Sequence, residues 1–411
     1  MSNWVWRLRK ILLSCIQFKP LNMKRIILLL LGGLSWLSVS AQALQTGFSP
    51  PIPQIGRGSV AWADYNNNGQ LDLLLCGIDS SGMRQSVLLQ KIGNAFVPDT
   101  AQHLIGVSGG DADWADMEGD GDLDLVLTGE KSAGHGATAV YQNQGGALSL
   151  LATPNLPGLS MGQAVWADFD HDGDQDIFLT GFSEVEGFVG MIAINDAGTF
   201  TAVKNPLFAT REWTAADVGD FNADGLPDIA FSDRSPKISE PMRVMVLKNV
   251  GGMQFVSVPL VLDGFYGGSL DFADLEGDGD LDLLCTGINS KPVTQVCKYI
   301  GGQFVSTSSA LVAVSDGEAV WMDFDHDGDP DIVEVGRTSS GLEMRAYRNN
   351  GGVFSLFQSP STMPSITNAR MAVGDWNQDG FVDFAVMGTD ANDIPRSYIG
   401  TWFNGLQQFK F

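Results

Sequence analysis

Three observations predict an all-β fold, a seven-bladed β-propeller built from four-stranded antiparallel blades. A nine-residue acidic loop recurs seven times along the 411 residues, its copies separated by 52, 52, 52, 54, 49 and 52 positions. Each interval holds four short apolar stretches rich in β-branched and aromatic residues, the composition of strands, and shows no helical periodicity. One four-stranded sheet cannot bury both of its faces, whereas seven sheets stacked radially bury each against its neighbours.

Within each unit the elements follow a fixed order. A first strand runs into the loop, as in SVAWAD, DADWAD or EAVWMD, and a second strand such as LDLLLCG, LDLVLTG or QDIFLTG follows at once. A variable polar connection leads to a third strand, RVMVLKN or EMRAYRN among them, and a tight Asn/Gly turn then signals a hairpin. The fourth strand opens near Phe96, Phe200, Phe255, Phe304, Phe354 or Phe409. An aromatic residue two positions before the loop (Trp62, Trp114, Trp166, Trp321, with Phe272 in the fifth unit) reads as core between blades. The chain begins just before a first strand and ends on a fourth, and the stretch around Phe48 is a candidate to pair with the last blade beside Gln407–Phe411.

The loop carries the chemistry. Its first residues are Asp64, Asp116, Asp168, Asp220, Asp274, Asp323 and Asp375, and its ninth are Asp72, Asp124, Asp176, Asp228, Asp282, Asp331 and Asp383. Oxygen side chains also stand third (Asn66, Glu118, Asp170, Asn222, Glu276, Asp325, Asn377) and fifth (Asn68, Asp120, Asp172, Asp224, Asp278, Asp327, Asp379). The seventh residues, Gln70, Asp122, Asp174, Leu226, Asp280, Asp329 and Phe381, can turn a backbone carbonyl inward. Glycine is sixth in every copy, where the chain must turn sharply. Hard oxygens at alternate positions around such a turn suit calcium, which takes six to eight oxygens at ~2.3–2.6 Å. Up to seven Ca²⁺ ions are expected. The second, third, fifth and sixth loops have four carboxylates among positions one, three, five and nine, the fourth and seventh have three, and the first has two.

An EF-hand also begins D-x-D-x-D-G and ends in Glu at position twelve, and Asp323 to Glu334 meets that pattern. The other six copies have Leu75, Leu127, Leu179, Phe231, Cys285 or Val386 there. The flanks are strand-like, so Glu334 reads as an exposed strand residue.

Residues 1–41 read as a signal peptide with an upstream extension: Met23–Arg25 is a charged start, Ile26 to Val39 an apolar run, and Val39-Ser40-Ala41 a small-x-small cleavage site. The true start is Met1 or Met23, and the propeller is expected over 42–411. Fourteen apolar residues are too few to span a bilayer, so the expected location is secreted or at the cell surface, with no membrane span. The leader carries six basic and no acidic side chains, so its removal takes the formal net charge from −24 to −30. The loops hold 28 of the 48 carboxylates, which makes this metal-site acidity and excludes nucleic acid as a partner. The three cysteines beyond the leader, Cys76, Cys285 and Cys297, read as buried hydrophobes, although Cys285 and Cys297 flank one hairpin turn where a bridge could form.

Seven such loops, set between a strand ending AWAD and one such as LDLVLTG, resemble FG-GAP/VCBS repeats, the repeat class of the integrin α-subunit propeller and of many secreted bacterial proteins. The resemblance implies a calcium-bearing propeller and leaves the ligand open. Kelch repeats share the period but lack an acidic loop. Catalytic signatures are missing: the chain has no G-x-S-x-G and no HExxH, His171 and His326 occupy the fourth loop position, and His103 and His135 lie in variable connections. The expected role is therefore a monomeric binding or adhesion module for an extracellular carbohydrate or protein, with a polysaccharide lyase or a passive scaffold as the alternatives. The ligand is expected on the face opposite the acidic loops, where the connections vary, around Arg211, Trp213, Phe265 and Tyr266.

Overall fold

The computed structural model describes residues 50–411, except 154, 209–211, 235–241 and 308–309, and except the side chains of 212–214, 261 and 360. The signal-peptide reading of 1–41 and the pairing suggested for Phe48 lie outside the described residues. From Ile55 onward the chain forms seven sheets, each made of four consecutive antiparallel strands. The first consists of Ile55–Ala63, Asp72–Asp79, Arg84–Ile92 and Ala95–Pro98. The remaining six blades open on Ala112–Ala115, Ala164–Ala167, Glu212–Gly219, Leu270–Ala273, Ser315–Met322 and Thr367–Gly374. The fifth gains one more strand, Leu260–Val261, which pairs parallel to its outer strand Gln303–Thr307.

Second strands explain the fold most directly. Asp72–Asp79 and its equivalents are buried along most of their length, because each lies mid-blade with a neighbouring blade over either face. A strand covered on both sides reads as a continuous apolar run rather than an alternating one. Core clusters accordingly draw on two blades at a time, Val126 and Val140 of the second packing with Leu179 and Met191 of the third.

Every described sheet is built from consecutive strands, so among the described residues the ring closes by face packing rather than by strand exchange. Ile52, Ile55 and Leu75 of the first blade share one cluster with Ala385, Met387 and Ile399 of the last. Gln54 and Ile55 exchange four hydrogen bonds with Ser397, of 2.7 to 3.2 Å.

The aromatic residue that precedes five of the seven loops packs at the blade interfaces, as expected. Trp62 and Trp166 lie against Phe96 and Phe200 of their own blades. The indole N–H groups of Trp62, Trp166 and Trp321 donate to the carbonyls of Ala372, Asp113 and Asp271 in the preceding blade.

Glu334 corrects the sequence reading. It is fully buried rather than exposed, accepts a 3.0 Å hydrogen bond from the Tyr347 hydroxyl, and is pushed up to about 8 by burial. A charge in a second strand has no solvent face to occupy, since both faces are covered. Cys76, Cys285 and Cys297 are free and buried. Cys297 stands opposite Leu283 and Cys285 opposite Gln295, so the hairpin register does not pair the two thiols.

Candidate metal centre and channel mouth

All seven loops close by one hydrogen-bond scheme. The first aspartate accepts the amides of the fifth and sixth residues, as at Asp64 (2.8 and 2.7 Å), Asp168 (3.1 and 3.1 Å) and Asp375 (3.1 and 2.9 Å). The fifth residue accepts the amide of the seventh. Two consecutive turns of this kind force the fourth residue into the left-handed region, where His171 and His326 sit exposed at φ 65° and 63°. They also force the sixth, where Gly173 reaches 103° and a side chain would be strained.

The ninth aspartate ties the loop to its blade. One oxygen accepts the amide at the end of the third strand, from Lys91, Asn143, Asn195, Asn249, Tyr299, Asn349 or Trp402, at 2.7–2.8 Å. The other oxygen faces the loop. Burial pushes these carboxyls up, against partial relief from the strand-end amide: to about 6 at Asp72 and Asp176, about 7 at Asp124, Asp228, Asp282 and Asp331, and about 8 at Asp383. They are costly to ionise until positive charge is brought to the loop.

Several loop oxygens lack any hydrogen-bond partner: Glu118 Oε2 in the second blade, Asp282 Oδ2 in the fifth, Asp325 Oδ1 in the sixth and Asn66 Oδ1 in the first. In the third blade the carboxylates of Asp168, Asp170 and Asp176 converge within 4.8 Å, and in the sixth those of Asp323, Asp325 and Asp327 do so. Orphaned, converging hard oxygens fit the donor set that a calcium ion takes. Three of the seventh side chains point elsewhere: Asp122, Asp174 and Asp329 accept the amides of Gly145, Ala197 and Gly351 in the hairpin turn. Loops and hairpin turns thus share one face.

A second device on that face has no signal in the sequence. Asn143, Asn195 and Asn249 each donate to the carbonyl of the second loop residue in the preceding blade, Tyr65, Met117 and Phe169. Their side-chain oxygens accept the turn amides of Gly146, Gly198 and Gly251. Each asparagine is a buried hub joining its own loop, its own turn and the neighbouring blade.

A central channel of about 380 Å³ contains a further set that sequence reasoning missed. Asp113, Asp217 and Asp271 stand three residues before their loops, Asp111 and Glu318 five before, and Arg370 is the cation among them. Alternate residues of a first strand face the channel, so these acids share one wall. Their carboxylates accept amides of the next blade's first strand, Asp113 from Trp166 (3.0 Å), Asp217 from Phe272 (2.8 Å) and Asp271 from Trp321 (2.7 Å). They satisfy donors that the innermost strand would otherwise leave open. Burial pushes Asp113 and Glu318 up to about 7 and Asp217 to about 6, with Asp271 also raised. Charged residues at alternate positions of DADWAD and of LDFAD were the available signal.

The channel opens, on the face opposite the loops, into a pocket of about 430 Å³. Its rim is the residue seven before each loop, a distance of roughly 23 Å at strand rise. Arg57, Met161, Asp316 and Asn368 adopt left-handed φ values of 58°, 55°, 49° and 49° there, and Gly109 and Gly267 take the same turn. Backbone bonds run from blade to blade around the rim: Gly109 to Arg57 (2.8 Å), Met161 to Gly109 (2.7 Å) and Asp316 to Gly267 (3.0 Å), the amide donating in each case.

Of the four ligand candidates, Phe265 is corrected: it is fully buried in the core between the fourth and fifth blades. A connection that packs under a blade edge buries its aromatic ring rather than offering it. Tyr266 is half-buried beneath the Arg234 guanidinium, 4.8 Å from the ring centre. Arg211 and the side chain of Trp213 lie outside the described residues, although Trp213 occupies the rim position of the fourth blade.

These features define a seven-bladed β-propeller with an acidic Asp/Gly loop between the first two strands of every blade. The chain carries FG-GAP-like repeats: the model of the FG-GAP-like repeat family matches residues 116–179 and 323–386, each match starting on the first aspartate of a loop. No curated protein sequence matches the chain. Similar solved structures include AofleA from Arthrobotrys oligospora (8% identical, covering 87% of this chain and 85% of that one, TM-score 0.42). They also include a rhamnogalacturonan lyase of Bacillus licheniformis (13%, 85% and 90%, TM-score 0.33). A thermostable family-43 glycoside hydrolase is similar over 65% of this chain and 98% of its own (10% identical, TM-score 0.35). Among the described residues, no helix is long and apolar enough to cross a membrane.

Proposed function

We propose that the protein is a secreted binding module: a propeller braced by calcium in its acidic loops, which takes an extracellular carbohydrate or protein ligand at the channel mouth. The observation that carries this reading is the rim. Two blades use glycine for the left-handed turn, yet four others place Arg57, Met161, Asp316 and Asn368 there, at a cost of about 1 kcal/mol each for Arg57 and Met161 and less for the aspartate and asparagine, which enter that conformation more readily. Side chains held at such a cost collect at binding sites. They surround a concave pocket whose wall carries both donors (Arg57, Arg370, Asn368) and acceptors (Asp111, Asp316), the mixture that hydroxyl-rich or peptide ligands require.

Division of labour between the faces supports the same reading. The loops are nearly alike and bind their own hydrogen-bond partners, so they distinguish ligands poorly, whereas the rim position varies among the blades, with only glycine used twice. The test is a glycan and matrix-protein array, followed by Arg370→Ala with Asn368→Gly against Asn350→Ala on the loop face. Loss of binding in the first variant alone is expected. Loss in Asn350→Ala alone would put the ligand on the other face, and release of unsaturated sugar product would make the protein a lyase.

A further inference from the structure

We propose that the fourth loop supplies its own cation: the Lys248 ammonium stands in for the divalent ion there, and the loop takes no calcium while Lys248 is in place. This rests on the reading that the carboxylate-rich loops hold calcium. Lys248 Nζ lies 2.9 Å from Asn222 Oδ1 and 2.9 Å from Asp224 Oδ2, the third and fifth positions of the loop. These are oxygens that an ion would need.

The remaining oxygens are also engaged. Asp228 Oδ2 accepts the Asn222 amide at 2.7 Å, and Asp228 Oδ1 accepts the Asn249 backbone at 2.7 Å. Asp224 Oδ1 accepts the amide of Leu226 at 3.2 Å, and Asp220 accepts those of Asp224 and Gly225. The side-chain oxygens of Asp220, Asn222, Asp224 and Asp228 are thus all partnered, whereas Glu118, Asp282 and Asp325 of the second, fifth and sixth loops each keep a buried oxygen without one.

Charge points the same way. The fourth loop has three carboxylates, against five in each of the second, third, fifth and sixth. Basic residues occupy the equivalent third-strand position in two other blades, but Lys298 meets Glu276 and Arg348 meets Asp325, each at the third position. Only Lys248, among these, bridges two ligand positions. Its backbone neighbour Asn249 is pinned by Asp228, which fixes the stem over the loop. Admitting calcium would break two hydrogen bonds from a charged donor, and these are about twice as strong as neutral ones.

The experiment counts calcium per chain by atomic emission after gel filtration, for the wild type and Lys248→Met, with melting curves in chelator and in calcium. The expected result is one more ion per chain in the variant, and a stability deficit in chelator that calcium removes. Equal counts in two calcium-binding proteins would overturn the inference and leave the calcium reading standing. No calcium in either would overturn both. Should Lys248→Met melt too low to compare, Lys248→Gln, which keeps the stem and removes the charge, gives the same count.

Discussion

Replacing Asn195 by alanine tests how the blades are joined. Its buried side chain donates to the Met117 carbonyl of the preceding blade at 2.9 Å and to the Gln175 carbonyl at 3.2 Å, and accepts the Gly198 amide at 2.8 Å. Asn195→Ala removes all three bonds. The groups left behind are backbone groups held by their strands and turns, which cannot turn to find other partners. At about 1 kcal/mol for each bond, with some further penalty for groups left unpaired, the loss is about 3–4 kcal/mol. Asn350→Ala, at an exposed position of another hairpin turn, should cost under ~0.5 kcal/mol, as surface substitutions do. Urea denaturation followed by tryptophan fluorescence measures both. A loss below ~1 kcal/mol for Asn195→Ala would refute the view of these asparagines as hubs.

Other consequences concern the channel and the loop. Asp113, Asp217 and Glu318 are raised to about 7, 6 and 7. Their contribution to stability is therefore full below the ordinary carboxyl value near 4 and is lost as pH rises through 6–7. In saturating calcium the melting temperature should be higher at pH 5 than at pH 8, and Asp113→Asn should flatten the dependence. A melting temperature that rises over that interval would contradict the assignment. Gly173→Ala meets no atom within 4 Å, but φ is +103° there, so a loss of about 1–2 kcal/mol is expected from backbone strain alone. Unchanged stability in a chemical denaturation series would show that the loop relaxes.

How much of this was legible in the sequence depends on range. Blade number, strand order, the loop and the role of Trp166 follow from patterns repeated within about 52 residues, and each was readable. Asn195 was not, because a turn-forming asparagine looks the same whether or not a neighbouring blade brings a carbonyl to it. Asp113 and Asp271 stood visibly at alternate positions of apolar strands, yet what they satisfy is an amide about 50 residues away in the next blade. Phe265 and Glu334 depart from the sequence reading for one reason: a residue's own segment does not show what the neighbouring blade lays over it.

The central claim is that the acidic loops are cation sites that brace the blades, and calorimetry of chelator-stripped protein during stepwise addition of calcium tests it most directly. Each filled loop should stabilise the native state by ~2.7 kcal/mol at a hundredfold excess over its dissociation constant, so the melting temperature should climb in step with the ions taken up. A melting temperature that stays constant while calcium saturates, or no uptake at all, would contradict the account.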